Sequence, residues 1–146
     1  MKIRQMTIDD YDDVYALWRE TPGMGLNDVD DSREGIERYL RRNPRTCFVA
    51  KLEGALAGVI MAGHDGRRGY IYHACVKQPA WDKHIGTRLV EAALDALAAE
   101  GISKVALVVF DRNERGNGFW ERLGFSCRPE LVYRSKALVK MERTET

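Results

Sequence analysis

The spacing of apolar side chains predicts strands and helices from one end of the chain to the other. Polar and apolar residues alternate over Lys2 to Met6, which predicts a short strand. A period of three to four residues then predicts two helices. The first follows Thr7 and ends in the glycine-rich loop 22–25, and the second is capped by Ser32 and stops before Pro44.

Three strand-like runs follow the second helix. They are Thr46 to Leu52, Leu56 to Gly63 and Tyr70 to Val76. Glu53-Gly54 is typical of the tight turn of a hairpin, and residues 65–69 supply the second turn. These runs predict an antiparallel meander.

The second half of the chain returns to alternating helices and strands. A strong apolar stripe predicts a helix over Thr87 to Glu100, which Gly101 ends. Lys104 to Phe110 is nearly all apolar and predicts a central strand buried on both faces. A short helix is expected over Asn113 to Leu123, and one or two final strands over Phe125 to Lys140. The order predicts an α/β fold with a mixed, mostly antiparallel sheet of six to seven strands and helices on both faces.

Length and composition indicate one soluble globular domain over residues 1–146, with 45% hydrophobic and 31% charged residues. A net charge of +1 does not favour nucleic acid or an acidic membrane as a partner. The three cysteines include no CxxC pair, and His64 and His73 have no acidic partners at ligand spacing, so neither a disulfide framework nor a metal site is predicted. No apolar run approaches the roughly 20 residues of a membrane span. We see no signal peptide and expect a cytoplasmic location.

The segment from Val76 to Val90, which reads VKQPAWDKHIGTRLV, is the most informative part of the chain. A strand ends there, a loop crosses, and a helix begins whose first N–H groups carry partial positive charge. Lys83, His84 and Arg88 add positive charge, and Gly86 leaves room beside the backbone. These features suit a pyrophosphate, although an ordinary strand–helix junction with a solvated basic loop has the same composition.

This segment resembles the acetyl-CoA-binding segment of GNAT N-acetyltransferases, which usually reads V-x-P-x-x-[QR]-x-x-G-x-[GA] before an apolar helix. A second segment, NERGNGFWERLGF from Asn113 to Phe125, is similar to the family pattern N-x-x-A-x-x-[FL]-Y-E-x-L-G-F. One helix and one buried strand separate the two segments, as in the family. The resemblance covers the whole chain in element order and implies a GNAT-like fold, acetyl-CoA as co-substrate, and an amine acceptor on a small molecule or a protein.

The resemblance also implies a set of cofactor-binding residues at the strand end, in the loop, in the first helical turn and in the second segment. They are Cys75, Val76, Trp81, Lys83, His84, Ile85, Gly86, Thr87, Arg88, Asn113 and Trp120.

Several residues depart from the family patterns or change the charge of the loop. Trp81 replaces a glutamine or arginine, and His84 replaces the first glycine. Asp82 puts a carboxylate beside the expected pyrophosphate and should oppose its binding. Trp120 stands where many members have the tyrosine that protonates the CoA thiolate, and an indole N–H is no practical proton donor.

The resemblance implies that the strand Tyr70 to Val76 lies beside the acetyl group, so this strand carries the candidate catalytic groups. Backbone N–H groups around Cys75 and Val76 would polarise the thioester carbonyl. Simple alternation puts Tyr70 and Tyr72 on one face and His73 with Cys75 on the other. His73 is the candidate general base, with Tyr72 as a second candidate, although each also suits a structural role.

For the acid, Tyr133 on a terminal strand is the candidate, with an ordered water as the alternative. Cys75 lacks a histidine–acid pair of suggestive spacing, which argues against a covalent mechanism.

The early loop contains Asp28, Asp30 and Asp31, which could receive a cationic amine or simply cap a helix. Arg41-Arg42 is interpreted as solvated charge. A catalytically silent CoA-binding or regulatory domain and a plain interaction module are the alternatives to an active enzyme. Exposed terminal strands would allow a homodimer.

Overall fold

The computed structural model describes residues 1–144, apart from the side chain of Asp82. The elements in chain order are β1 (Lys2–Gln5), α1 (Tyr11–Glu20), β2 (Leu26–Asn27), α2 (Arg33–Arg42), β3 (Phe48–Leu52), β4 (Ala55–His64), β5 (Gly69–Val76), α3 (Ile85–Ala99), β6 (Val105–Ala106), α4 (Glu114–Arg122) and β7 (Arg143–Thr144). Two 3-10 turns, Ile8–Asp10 and Gln78–Lys83, precede α1 and α3.

The central sheet has five strands in the order β1-β3-β4-β5-β6. The first four are antiparallel neighbours, while β6 runs parallel to β5. The turn between β3 and β4 has positive φ at Glu53 and Gly54, as a two-residue hairpin requires. The mixed, mostly antiparallel fold predicted from the sequence is confirmed, but the strand number of six to seven is wrong.

Helices cover both faces of the sheet because β4 is apolar on both sides. Val59 and Met61 pack in a core with α1 and α2, whereas Ile60 and Ala62 pack in a second core with α3. Ser32 caps α2 as predicted, since its Oγ accepts the N–H of Gly35 at 3.1 Å. Among the helices described, none is long and apolar enough to cross a bilayer.

A β-bulge interrupts β5 in the middle of its pairing with β4. Tyr72 is opposite Met61 and Cys75 is opposite Val59, so two residues of β5 face a single residue of β4. One of the two is His73, whose φ is +47°. Tyr72 and Cys75 therefore lie on the same face of the sheet, and the alternation expected from the sequence is wrong at this point.

The chain after α3 differs most from the expectation. The strand predicted over Lys104 to Phe110 is reduced to the two residues of β6, and Val108 is 58% exposed. No strand forms over Phe125 to Lys140, and its apolar side chains, such as Leu138 at 91% exposure, are not buried. A strand needs both a hydrogen-bonding neighbour and a core to cover its apolar face, and β6 gives this segment neither. The chain end instead pairs as β7 with β2.

Candidate active site

A cavity opens where β5 and β6 separate. The two strands pair only at Gly69 with Val105 and at Tyr70 with Ala106. Beyond these pairs the cavity, of about 1090 Å³, is lined by β5, by residues 107–111, by α2 and by the loop before α2. The open edge of β5 leaves backbone groups without a neighbouring strand, which is the usual setting for a ligand that pairs with a sheet edge.

A histidine and a carboxylate meet at the wall of this cavity. The Nε2 atom of His73 lies 2.7 Å from Oδ1 of Asp31, and the side chains are only 15% and 5% exposed. The other oxygen of Asp31 accepts the backbone N–H of Asn27 at 2.8 Å. Because a carboxylate oxygen accepts, Nε2 of a neutral His73 carries the proton and Nδ1 holds a lone pair. No residue in the range 1–144 hydrogen-bonds to Nδ1.

The fold holds His73 in place from three directions. The bulge turns its side chain, Asp31 fixes the ring, and the ring of Trp18 lies edge-on at 5.0 Å. The indole N–H of Trp18 also donates to the His73 carbonyl at 3.2 Å. Asp31 itself is fixed because it directly precedes Ser32, the cap of α2. Sequence reasoning found the acidic loop and the histidine but not their contact.

Tyrosine side chains form the next part of the wall. The rings of Tyr70 and Tyr72 are 4.6 Å apart, and Tyr39 of α2 lies edge-on to Tyr72 at 5.9 Å. Burial, reinforced by Tyr72 and Tyr133, raises the pKa of Tyr70 to about 12. Burial first, then Tyr133 and Asp30, also raises the pKa of Tyr72. Both phenols are therefore protonated at neutral pH and can donate hydrogen bonds but not accept a proton readily.

Tyr133, the candidate acid, lines the same cavity from an irregular segment rather than from the predicted strand. It is 70% exposed. The structure thus brings Tyr72, His73 and Tyr133, the three candidate catalytic residues, around one cavity.

The proposed pyrophosphate segment has the local geometry that the sequence predicts. His84 precedes α3 with φ +58°, the conformation that glycine adopts most easily, which explains why the family pattern has glycine here. The first hydrogen bond of α3 runs from the Arg88 N–H to the His84 carbonyl at 3.2 Å. The N–H groups of Ile85, Gly86 and Thr87 precede that bond, so they are available to an anion. Lys83, His84 and Arg88 are all exposed nearby.

Gly86 has a packing role besides the expected one. A Cβ at this position would lie 3.2 Å from the ring of Phe119, so the absence of a side chain lets α3 approach α4 closely. Replacement of Gly86 would therefore disturb packing as well as any cofactor contact.

Trp81 connects this segment to β5 and to α4. Its indole N–H donates to the carbonyl of Val76 at 2.9 Å, and the guanidinium of Arg115 lies 3.8 Å above its ring. Arg115 therefore adds a cation to the segment, and the sequence pattern gave no sign of it because the contact crosses from α4. The expectation that Asp82 opposes cofactor binding falls on a side chain outside the described residues.

The second family segment, which contains α4, contributes residues to the wall of the cavity. Asn113 caps α4, since its Oδ1 accepts the N–H of Gly116 at 2.9 Å. Trp120 lies edge-on to Phe119 at 5.0 Å and to Phe125 at 5.1 Å. Both Asn113 and Trp120 line the cavity.

Two other residues that the sequence singled out, Cys75 and His64, make contacts that serve the fold. Cys75 packs against the core beside α1, and burial raises the pKa of its thiol to about 12, so it is no thiolate at neutral pH. His64 lies 2.9 Å from Glu100 through Nε2 and accepts the Gly66 N–H through Nδ1, which ties a hairpin turn to the end of α3.

The sequence matches the acetyltransferase (GNAT) family over residues 11–125. The chain belongs to this family. An acetyltransferase of Photorhabdus laumondii is 33% identical over 140 residues, covering 95% of this chain and 96% of that protein. An acetyltransferase of Yersinia pestis is 28% identical over 142 residues, covering 97% and 99%.

The fold agrees with this assignment. The PaiA N-acetyltransferase of Thermoplasma acidophilum, solved in complex with coenzyme A, superposes with a TM-score of 0.75 at 18% identity, covering 99% of this chain and 98% of that one. As a GNAT protein, the chain is an N-acetyltransferase that uses acetyl-CoA as co-substrate, and its acceptor is unspecified.

A charge placed in the first turn of α3 should separate cofactor binding from folding. Thr87→Glu should weaken acetyl-CoA binding at least tenfold, about 1.4 kcal/mol, because a carboxylate would repel the pyrophosphate. The fold should not suffer, since an acidic residue in a first turn favours the helix. Isothermal calorimetry measures the affinity, and Thr87→Gln is the uncharged control. Equal affinity of the two variants would place the pyrophosphate elsewhere.

Proposed function

We propose that this acetyltransferase moves the acetyl group of acetyl-CoA directly to an amine that binds in the cavity, with His73 as general base. The observation that carries the proposal is the 2.7 Å contact between His73 and buried Asp31 at the cavity wall. A histidine that is oriented by a carboxylate and has its other nitrogen unbonded is well arranged to remove a proton.

The cofactor-binding residues expected from the sequence fit acetyl-CoA. The first-turn N–H groups of α3, together with Lys83, Arg88 and Arg115, suit the phosphates. The open edge of β5 up to Val76 suits the amides of the pantetheine arm. Trp120 and Asn113 line the cavity. Acetyl-CoA supplies an acetyl group already activated as a thioester.

The chemistry that these residues support is a single displacement. His73 Nδ1 takes a proton from the acceptor ammonium group, which leaves a neutral amine. Backbone N–H groups of β5 near Cys75 and Val76 stabilise the negative charge on the carbonyl oxygen while the C–N bond forms. The C–S bond breaks, the departing thiolate takes a proton from Tyr133, and the second proton that the acetylated nitrogen loses returns Tyr133 to its neutral form. Tyr72, kept protonated by its raised pKa, donates a hydrogen bond at the cavity wall.

The experiment that tests the proposal is thiol release from acetyl-CoA over a panel of amines, with calorimetry of acetyl-CoA binding alongside. Release that depends on the amine supports an active acetyltransferase. Binding without release for any amine would favour the alternative, a silent CoA-binding or regulatory domain, for which the replacement of the family tyrosine by Trp120 is the supporting observation.

The role of the acid leads to a prediction about Tyr133 and Trp120. Tyr133→Phe should lower kcat at least tenfold without changing acetyl-CoA affinity, because general acid catalysis is worth about 10²–10⁴-fold. Trp120→Tyr should keep the fold and leave turnover unchanged or raise it. Steady-state kinetics with the best amine measures both. Normal turnover of Tyr133→Phe together with an inactive Trp120→Phe would assign the role to the indole instead.

Three further expectations stay predictions: a single domain, a cytoplasmic location and a homodimer. The exposed apolar side chains of the segment 125–142 support the homodimer, since an unpaired edge and an uncovered apolar segment favour self-association. Sedimentation analysis tests the assembly, and cell fractionation tests the location.

A further inference from the structure

We infer that the acceptor of this acetyltransferase is an amine that carries an anionic group, a carboxylate or a phosphate, at its far end, and that Arg38 and Arg42 bind that group. The inference rests on the proposed function, in which the amine end lies at His73.

The two arginines lie on one face of α2. They are separated by four residues, which places them one turn apart on the same side of the helix, and both line the cavity. An arginine guanidinium presents paired N–H donors that match a carboxylate or a phosphate.

The other two arginines of α2, Arg33 and Arg41, form ion pairs instead of lining the cavity. Arg41 lies 3.4 Å from Glu37 and Arg33 lies 3.4 Å from Asp12, and neither lines the cavity. Arg38 and Arg42 have no ion pair within residues 1–144. The helix thus neutralises the cations on its outer side and leaves those at the cavity available to a ligand.

The two cavity carboxylates of the loop before α2 do not take up these charges. Asp31 is engaged by His73 and by the Asn27 N–H. Asp30 accepts a hydrogen bond from Asn27 Nδ2 at 3.1 Å. Both acids belong to the loop before α2, whereas Arg38 and Arg42 lie roughly 7.5 and 13.5 Å along the helix axis from its start at about 1.5 Å per residue. Arg38 and Arg42 therefore lie apart from this loop along α2, whereas Arg143, which also lines the cavity, pairs with Asn27 of the loop, and Asp111 lines the side formed by residues 107–111.

Aromatic side chains also line the cavity. Tyr39 is the neighbour of Arg38 on α2, and its ring meets Tyr72, which precedes His73 in β5. An acceptor that extends from His73 to the arginines would pass along these rings. Its amine would lie near Asp30 and Asp31, its body against tyrosine, and its anion at the guanidinium groups. A compact polycation does not suit this distribution, because its second charge would meet Arg38 and Arg42.

A matched series of amines tests the inference. The four probes share one primary amine and one six-carbon spacer: 6-aminohexanoate, 6-aminohexyl phosphate, 6-aminohexanol and 1,6-diaminohexane. We expect at least one anionic probe to have a KM about tenfold or more below that of the alcohol. The dication should have the highest KM. The carboxylate and phosphate arms decide which anion the site prefers.

Variants assign the effect to the two arginines. The double variant Arg38→Gln/Arg42→Gln should raise the KM of the preferred anionic probe about tenfold or more, with no change for the alcohol or for acetyl-CoA. Arg41→Gln on the same helix is the matched control and should leave all KM values unchanged. If the KM of the alcohol equals that of the anionic probes, or if the double variant leaves the KM of the preferred anionic probe unchanged, the inference is wrong while the proposed function stands. If no amine releases thiol although acetyl-CoA binds, both are overturned.

Discussion

Replacing His73 by asparagine should lower kcat for amine acetylation by about 10²–10³-fold, the usual loss when a general base is removed. Asparagine tolerates the positive φ of this bulge position, and Asp31 keeps the Asn27 N–H as a partner although the shorter amide does not reach it, so the fold should survive. Acetyl-CoA affinity should not change, because His73 lies on the acceptor side of the cavity. Steady-state kinetics and calorimetry measure the two quantities.

Chemical rescue distinguishes a base from a structural histidine. His73→Gly fits the φ of +47° without strain and leaves a space where the ring was. Added imidazole should restore part of its turnover, whereas it should not restore an Asp31→Asn variant, in which the histidine is present but less well oriented. Full activity of His73→Asn, or the absence of rescue in a folded His73→Gly protein, would leave His73 with a structural role.

Gly35→Ala should destabilise the protein by about 3 kcal/mol, the upper part of the range for overpacking. A Cβ at Gly35 would lie 2.4 Å from the carbonyl oxygens of Val29 and Asp30, and backbone atoms cannot move aside as a flexible side chain can. The melting temperature should fall by about 10 °C. Since the displaced loop carries Asp31, turnover of the remaining folded protein should fall as well.

The same substitution at Gly118 is the control. Gly118 is in the interior of α4, and outside the helix backbone the one described atom that a Cβ there would approach is the end of the Arg122 side chain at 3.3 Å. Gly118→Ala should stabilise the protein by up to about 1 kcal/mol, since alanine is the better helix former. Thermal unfolding of the two variants should therefore shift in opposite directions. A melting temperature of Gly35→Ala equal to that of the natural protein would show that the loop before α2 yields without cost.

The strands β3 and β4, their hairpin and the helix α3 follow from the local sequence. The period of the apolar residues selects strand or helix, and a Glu-Gly pair can adopt the positive φ that the hairpin needs. The proposed acetyl-CoA segment is equally local, because a strand end, a left-handed residue and a helix start are contained within a few residues. This is why two short patterns sufficed to predict the family, the fold and the co-substrate.

The active-site contacts could not be predicted in this way because they join distant parts of the chain. His73 and Asp31 are 42 residues apart and meet only because a bulge turns β5 toward the start of α2. Arg38 and Arg42 have the same composition as the outer arginines of α2, and only the position of the helix against the cavity distinguishes them.

Whether an apolar run becomes a full strand was also decided by tertiary structure. Lys104 to Phe110 has the composition of a buried strand, but it separates from β5 after two paired residues, and this separation opens the cavity. The sequence by itself determined the helices, the strands of the meander and the family, and it suggested the cofactor segment, because these depend on local period and local backbone conformation. The packing of α2 and β5 brought His73 to Asp31 and placed Arg38 and Arg42 at the cavity, because hydrogen bonds and electrostatic contacts depend on distance in space, which the spacing of residues along the chain does not specify.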